Sequence, residues 1–116
     1  MSHTATVREY YDLVDAGETD ALVALFAPDV TYERPGQSPI EGREALRTFY
    51  ERDRPLSDGS HEVGEVVADG GTVAVRGQFE GRQAGDPVEF WFADFHTFDD
   101  AGLITHRQTF TDRDEV

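Results

Sequence analysis

The stretch VEFWFADFHTF, residues 88–98, decides the fold of this chain. Because successive side chains of a strand point to opposite faces of the sheet, a strand over this stretch has two aromatic faces. A sheet that is covered by helices on one side ordinarily has a polar second side. The stretch therefore predicts a central strand with one helix-covered face and a second apolar face. The first face carries Val88, Phe90, Phe92, Asp94, His96 and Phe98, and the second carries Glu89, Trp91, Ala93, Phe95 and Thr97.

Turn signals on either side of this stretch predict three more strands. Asp69-Gly70-Gly71 is typical of a hairpin turn, and the segments 85–87 and 99–102 contain further turn residues. Between the turns, apolar and polar residues follow a period of two. The predicted strands cover residues 61–68, 72–81, 88–98 and 103–111.

Helical spacing replaces the period of two in the first part of the chain. A first helix ends at Gly17, and a second extends through Phe26 and stops at Pro28. A short strand over 30–33 and a third helix over 44–52 follow. The order α-α-β-α-β-β-β-β predicts an α+β fold, with helices packed on one face of a curved antiparallel sheet. The apolar stripe of the first helix consists of Val7, Tyr10, Tyr11 and Val14.

Composition restricts the class of protein. The 116 residues carry 24 acidic and 10 basic side chains, a net charge of −14 at pH 7, and every basic one is Arg. A phosphate backbone would meet net repulsion, so nucleic acid is not an expected partner. A dense carboxylate surface favours a halophilic origin, since high salt screens the mutual repulsion. With no cysteine, no membrane span and no secretion signal, we expect one cytoplasmic domain over 1–116 that does not bind membranes.

The second apolar face of the central strand predicts a protein partner. Trp91 and Phe95 lie on the face that the helices do not cover, and exposed aromatic patches usually mark interfaces. We expect a homodimer formed through this outer face of the sheet, with both residues at the contact. Surface aromatics without a partner are the alternative.

Three runs of sequence resemble a known family. VREYYDLVDAGETDALVALFAPDVTYERPG (7–36), EGREALRTFY (41–50) and ADFHTFDDAGLI (93–104) are similar to the SnoaL-like and ketosteroid-isomerase-like branch of the nuclear transport factor 2 superfamily. The resemblance spans almost the whole chain, from Val7 to about Thr111. It implies a cone-shaped roll, in which a strongly bent sheet wraps around the helices and leaves a deep apolar pocket.

The resemblance also implies site residues. Steroid isomerases of this family use a helix Tyr and a protonated Asp to stabilise an enolate oxygen, and a second Asp to move the proton. Tyr10 and Asp94 stand at the first two positions, and Tyr50 matches a supporting Tyr. Arg34, in the run ERP, occupies the position of the base. An Arg stays protonated and cannot act as that base, but it suits a carboxylate, phosphate or enolate.

Another residue would have to move the proton. His96 lies two residues from Asp94, on the same face of the strand, and its type titrates near neutrality. His106 on the last strand is the weaker candidate. The predicted catalytic residues are therefore Tyr10, Asp94 and His96. The residues expected to contact a ligand are Arg34, Tyr50, Phe79, Phe92 and His106.

The four histidines do not predict a metal site. There is no Cys and no H-x-x-x-H spacing, and His3 and His61 are expected at the surface. A metal held by His96, His106 and Asp94 is a conceivable alternative. No glycine-rich nucleotide loop is present, so no cofactor is implied.

Each candidate has a structural alternative. Tyr10 suits the core face of a helix, and His96 suits a satisfied core histidine. An ionised carboxylate among aromatic rings costs several kcal/mol. Asp94 is therefore expected to pair, with Arg34 as the candidate partner, to lie at the mouth of the pocket, or to stay neutral and donate a hydrogen bond.

Three functions follow from these alternatives. The first is cofactor-independent proton transfer, of the isomerase, cyclase or lyase type, on a small hydrophobic carbonyl compound. The second is non-catalytic binding of a small apolar or anionic molecule. The third is a dimeric accessory module with a vestigial pocket, which a cavity plugged by Phe79, Phe90 or Phe92 would favour.

Overall fold

A computed structural model describes residues 2–113 and 116 and shows helices packed against one curved, mixed sheet. The predicted α+β class and the order of its elements are confirmed. No helix among these residues is long and apolar enough to cross a membrane. The helices are α1 (His3–Ala16), α2 (Thr19–Val23) and α3 (Arg43–Thr48), which continues as a π-helical turn over Phe49–Asp53. The strands are β1 (Phe26–Glu33), β2 (Ile40–Glu41), β3 (Leu56–Asp69), β4 (Thr72–Gln83), β5 (Asp86–Phe98) and β6 (Ile104–Thr111).

The sheet has the strand order β2-β1-β6-β5-β4-β3. Every neighbouring pair is antiparallel except β1 and β6, which run parallel. The sheet is therefore mixed, and the strand that follows α2 closes against the last strand of the chain. Helix α1 packs on β3 and β4.

Several element boundaries differ from the predictions. Helix α2 ends at Val23, and Phe26 already begins β1, because it pairs with Ile104 of β6. Pro28 lies inside β1, in the stretch where the register with β6 shifts. Proline is tolerated at such an irregularity because no ladder hydrogen bond is required of it. Strand β3 begins at Leu56, five residues before the predicted start, and the short strand β2 forms between the predicted strand over 30–33 and the predicted helix over 44–52.

The two faces of β5 differ as the alternation predicts. Phe90, Phe92, Asp94, His96 and Phe98 are buried. On the outer face, Trp91 is 54% exposed and Phe95 44% exposed. The helices thus cover the inner face only.

Glycines allow aromatic rings to lie flat on the inner face of the sheet. A Cβ on Gly77 would lie 2.3 Å from the Glu62 carbonyl oxygen and 2.9 Å from the Phe92 ring. A Cβ on Gly59 would lie 2.2 Å from the Phe79 ring. Both rings therefore contact bare backbone, and neither position has room for a side chain.

We expect Gly77→Ala to lower the free energy of unfolding by about 1–3 kcal/mol, because the added methyl group overlaps a backbone oxygen that cannot move aside. Urea unfolding at fixed salt measures the change. Gly71→Ala is the matched control, because a Cβ there meets its nearest atom, the Phe98 carbonyl oxygen, at an ordinary 3.4 Å. Equal midpoints for the two variants would contradict the prediction.

Candidate functional site

A buried carboxylate lies at the centre of the inner face. Asp94 Oδ2 accepts hydrogen bonds from Arg107 Nη2 at 2.8 Å and from the Tyr11 hydroxyl at 2.5 Å. Asp94 Oδ1 accepts from Thr109 Oγ1 at 2.6 Å. Asp94 and Thr109 face each other across β5 and β6, and the register also sets His96 opposite Arg107. The strand pairing thus places the cation beside the carboxylate.

Asp94 is ionised. Burial acts to raise the pKa of Asp94, but Arg107, His96 and the hydrogen bonds from Thr109 and Tyr11 together hold it below its usual value. The partner of Asp94 is therefore Arg107 and not Arg34. An ionised carboxylate only accepts hydrogen bonds, so Asp94 has no proton to donate to a ligand oxygen. Asp94 is therefore an ionised carboxylate paired with Arg107, and not the neutral acid of the hypothesis.

His96 is held neutral between two partners. Its Nδ1 lies 3.2 Å from the Val73 carbonyl oxygen, and its Nε2 accepts from Arg107 Nε at 3.2 Å. Burial, with the nearby charge of Arg107, lowers the pKa of His96 to about 4. Both ring nitrogens are engaged, so His96 has no free lone pair for a substrate proton. This is the satisfied core histidine of the alternative interpretation.

Arg107 organises the site, and the sequence analysis missed it. Its side chain is 3% exposed, and its guanidinium lies 4.3 Å from the centre of the Tyr10 ring and 4.6 Å from that of Tyr32. Asp94 raises the pKa of Arg107 well above its ordinary value, against the effect of burial. The alternation of ITHRQTF, residues 104–110, places Arg107 and Thr109 on one face. This was the available signal.

The two adjacent tyrosines of α1 have different partners. The hydroxyl of Tyr10 lies 2.5 Å from that of Tyr50, so the supporting contact expected for Tyr50 is present. Burial raises the pKa of Tyr10 well above 10. The hydroxyl that reaches Asp94 belongs to Tyr11. Tyr10 and Asp94 share a cavity wall, but the hydrogen bond to the carboxylate is not made by Tyr10.

An inner cavity of about 30 Å³ lies between α1 and the sheet, which is about the volume of one water molecule in the liquid. Of the predicted site residues, Tyr10, Arg34, Phe92 and Asp94 line it, whereas Tyr50, Phe79, His96 and His106 do not. The expected deep pocket is thus nearly filled. The cavity is lined by Tyr10, Tyr32, Arg34, Arg54, Leu56, His61, Phe90, Phe92, Asp94, Arg107, Thr109 and Val116.

Arg34 lies in the wall of the inner cavity and is 8% exposed. Its guanidinium stacks on Phe49, 4.2 Å from the ring centre. Its Nη2 is buried without a hydrogen-bond partner among the described residues. Burial lowers the pKa of Arg34 from its ordinary value. An unpartnered donor of this kind is suited to an anionic or strongly polarised oxygen.

Two histidines lie on the sides opposite to those predicted. His106 is on the outer face, where its Nε2 lies 2.7 Å from Glu33 Oε2, because the inward turn of Arg107 directs its neighbour outward. His106 therefore cannot contact a ligand in the inner cavity. His61, expected at the surface, has a side chain only 8% exposed and lines that cavity. Among the described residues no cluster of three metal-ligating side chains occurs.

We expect the free energy of unfolding to fall as the pH is lowered from about 6.5 to about 4, because the unfolded chain protonates its histidine there while folded His96 does not. The stabilisation from neutral His96 is fully present above the pKa of histidine in the unfolded chain. It is lost as the pH falls toward the lower pKa of His96 in the folded protein. It amounts to about 3 kcal/mol at about 1.4 kcal/mol per pKa unit. Urea unfolding across this pH range measures it. His96→Gln flattens the slope of stability against pH, and parallel curves for wild type and His96→Gln would contradict the prediction.

Comparisons with known proteins agree with this architecture. A stretch of 47 residues is 45% identical to a steroid delta-isomerase of Nocardioides simplex and covers 40% of this chain and 38% of that relative. The epoxide hydrolase/cyclase-like enzyme SalBIII, described in pyran ring formation in the polyether salinomycin, superposes with a TM-score of 0.84 at 29% identity and covers 94% of this chain and 89% of its own. An NTF2-like protein of unknown function from Burkholderia pseudomallei superposes with a TM-score of 0.85 at 20% identity. The superposition covers 97% of this chain and 92% of that protein.

The family model with the most direct bearing is that of the SnoaL-like domain. It matches residues 7–107, which include α1 from Val7 onward, all of the sheet except the end of β6, and the Asp94–Arg107 pair. The match covers far more than half of the chain. The protein therefore belongs to the family of SnoaL-like domains.

Proposed function

We propose that this protein binds a small hydrophobic carbonyl compound in the inner cavity, with an oxygen of the ligand at Arg34, and catalyses proton transfer of the isomerase or cyclase type without a cofactor. The observation that carries the proposal is the buried, unpartnered Nη2 of Arg34. Leaving a buried charged donor without an acceptor costs free energy, so a ligand oxygen placed there is stabilised.

The charge of the inner cavity supports the same ligand. Among its described side chains are three arginines, Arg34, Arg54 and Arg107, and one carboxylate, Asp94. Asp94 is paired with Arg107, and neither Arg34 nor Arg54 forms an ion pair with another of the described residues. The chain as a whole has a charge of −14, so this cationic cavity differs from the rest of the molecule. It favours an enolate, a carboxylate or a carbonyl that becomes negative during reaction.

The size of the inner cavity sets a condition on binding. Its volume of about 30 Å³ admits no organic molecule. Val116 lines the cavity and is 2% exposed, and its N–H lies 3.4 Å from the Pro35 carbonyl oxygen. A ligand has to take the space that this side chain fills. The relatives support cyclase or isomerase chemistry for the opened cavity, since SalBIII is cyclase-like and the curated relative is a steroid isomerase.

Non-catalytic binding is the second candidate. It is favoured by the engagement of Asp94 and His96, the two groups from which the sequence predicted proton chemistry. A binder needs only the arginines and the apolar wall. Exchange of α-protons of a cyclic ketone in D2O, followed by NMR, separates the two functions because only a catalyst accelerates it.

We expect Arg34→Met to weaken the binding of nitrophenolate, an enolate mimic, by about 10- to 100-fold, the range that corresponds to one charged hydrogen bond. Titration followed by absorbance measures the affinity. Arg8→Met makes the same change in net charge at an exposed position of α1 and leaves the affinity unchanged. Equal affinities for Arg34→Met and wild type would contradict the proposal.

We also propose that a second copy of this chain covers the outer face of the sheet. Trp91, Phe95 and Phe110 are 54%, 44% and 49% exposed, and the rings of the last two are in edge contact at 6.0 Å. A groove of about 500 Å³ adjoins Trp91 and Phe110 and also contains Arg76 and Asp112. In a self-complementary contact between two copies, Arg76 and Asp112 of one copy would lie near Asp112 and Arg76 of the other.

We expect the double substitution Trp91→Glu and Phe95→Glu to yield a monomer, because it adds charge to a face that has to be desolvated. Sedimentation at several salt concentrations measures association. Wild-type association strengthens with salt, since the Debye length falls from about 10 Å at 0.1 M to about 3 Å at 1 M and the negative copies repel each other less. Val67→Glu, which alters an exposed apolar residue of β3, is the control. A wild type that is monomeric at every salt concentration would contradict the proposal.

A further inference from the structure

We propose that His61, positioned by Asp15, is the base that moves the proton in the inner cavity. The inference rests on the proposed function and names the residue that performs it. His61 comes from β3 and Asp15 from the last turn of α1, so the pair forms only when the helix lies on the sheet. Neither residue belongs to the set for which the sequence predicted chemistry.

The carboxylate of Asp15 holds His61 at two points. Its Oδ1 lies 2.6 Å from His61 Nδ1, and its Oδ2 accepts the backbone N–H of the same residue at 2.8 Å. A carboxylate in the last turn of a helix is ordinarily unfavourable by about 0.3–1 kcal/mol. The two contacts to His61 offset this cost. A proton on Nδ1 that is directed at a carboxylate leaves the lone pair of a neutral imidazole on Nε2.

The second nitrogen of His61 is free, in contrast to that of His96. Nε2 makes no hydrogen bond to any of the described residues. The ring lines the inner cavity, with Tyr11, Phe79 and Phe92 around it at centre distances of 5.3, 4.9 and 5.4 Å. Aromatic walls keep water away from a base and orient its ring. The arrangement is that of a general base with its positioning carboxylate.

The charged groups of the cavity match the step that this base would perform. His61 Nε2 takes a proton from a carbon next to the ligand carbonyl, and the electron pair of that C–H bond forms the C=C bond of an enolate. The negative charge moves to the oxygen, where Arg34 is the unpartnered donor. When the ligand has a β,γ C=C bond, the γ-carbon takes the proton back from Nε2 with the electrons of that bond, which gives the conjugated α,β isomer and regenerates the base. No oxidant, metal or cofactor enters the balance.

The structure supplies a matched control for this pair. His106 and Glu33 form a second histidine–carboxylate contact, at 2.7 Å, on the outer face of the sheet. The two pairs have the same chemistry and differ in location, because only His61 borders the inner cavity. A role that depends on the cavity therefore belongs to one pair alone.

Nitrophenol binding tests the inference without requiring the natural substrate. At a pH at which free nitrophenol is neutral, we expect the wild type to bind it as the ionised form, as its absorbance reports, with the proton transferred to His61. At the same pH His61→Gln binds the probe more weakly and only in the neutral form, because Arg34 then has no charged oxygen to contact, and His106→Gln behaves as wild type. If His61→Gln still binds the ionised form at that pH, the inference is overturned while the proposed function stands. If the wild type does not bind nitrophenol, both fail.

Proton exchange provides the second measurement. We expect His61→Gln to slow α-proton exchange of a β,γ-unsaturated cyclohexenone by about 10²- to 10⁴-fold, the usual contribution of a general base. Asp15→Asn lowers the maximal rate and leaves the affinity for nitrophenolate within about threefold, and Asp15→Glu restores part of that rate. A purely structural tie between α1 and β3 would instead lower stability in both Asp15 variants with no selective loss of rate, and that result would overturn the inference.

Discussion

The ion pair between Asp94 and Arg107 is the constraint around which the inner face is arranged. Both side chains are almost fully buried, so neither charge can be exposed to water when the other is lost. The pair joins β5 to β6, and the Tyr11 hydroxyl attaches α1 to the same carboxylate. Such a pair is weak evidence of high stability, because desolvation offsets much of the attraction. Its effect is geometric, since it fixes two strands and a helix relative to one another.

The same pair determines which groups are left for chemistry. Arg107 donates hydrogen bonds to the carboxylate of Asp94 and to Nε2 of His96. Asp94 and His96 therefore have a structural role in the inner face. Nη2 of Arg34 has no such hydrogen-bond partner among the described residues. The charges of Asp94 and Arg107 thus balance each other at the cavity, and Arg34 adds a positive charge to its wall. This polarity is opposite to that of the acidic surface and favours ligands with a negative or polarised oxygen.

Two histidine–carboxylate pairs, His61–Asp15 and His106–Glu33, differ in whether the histidine borders the inner cavity. Glu33 and His106 lie half-exposed on the outer face, where water screens their charges. His61 lines the inner cavity among aromatic rings, whereas its partner Asp15 is an exposed residue of α1. There the carboxylate orients an imidazole whose second nitrogen has no hydrogen-bond partner among the described residues. The curvature of the sheet brings this part of β3 inward, although most of that strand is exposed.

The sequence by itself determined the class of fold, the order of the elements and the two faces of β5. These features depend on local periodicity: the alternation over residues 88–98 separates buried Phe92 from exposed Trp91 whatever the strand is paired with. Boundaries near Pro28 were less well predicted, because long-range pairing with β6 overrides the local signal for a helix end.

The tertiary structure alone decided the partners within the site. Periodicity put Asp94 on the inner face, but the register of β5 against β6 chose Arg107 as its cation, 13 residues away in the chain. The sequence assigned Tyr10 and Asp94 to a shared ligand oxygen, but the rotation of α1 about its axis directs the hydroxyl of Tyr11 to the Asp94 carboxylate. The bend of the sheet moved His61 from the expected surface to the cavity wall. Register, axial rotation and curvature arise from the packing of whole elements, so no local pattern of residues encodes them.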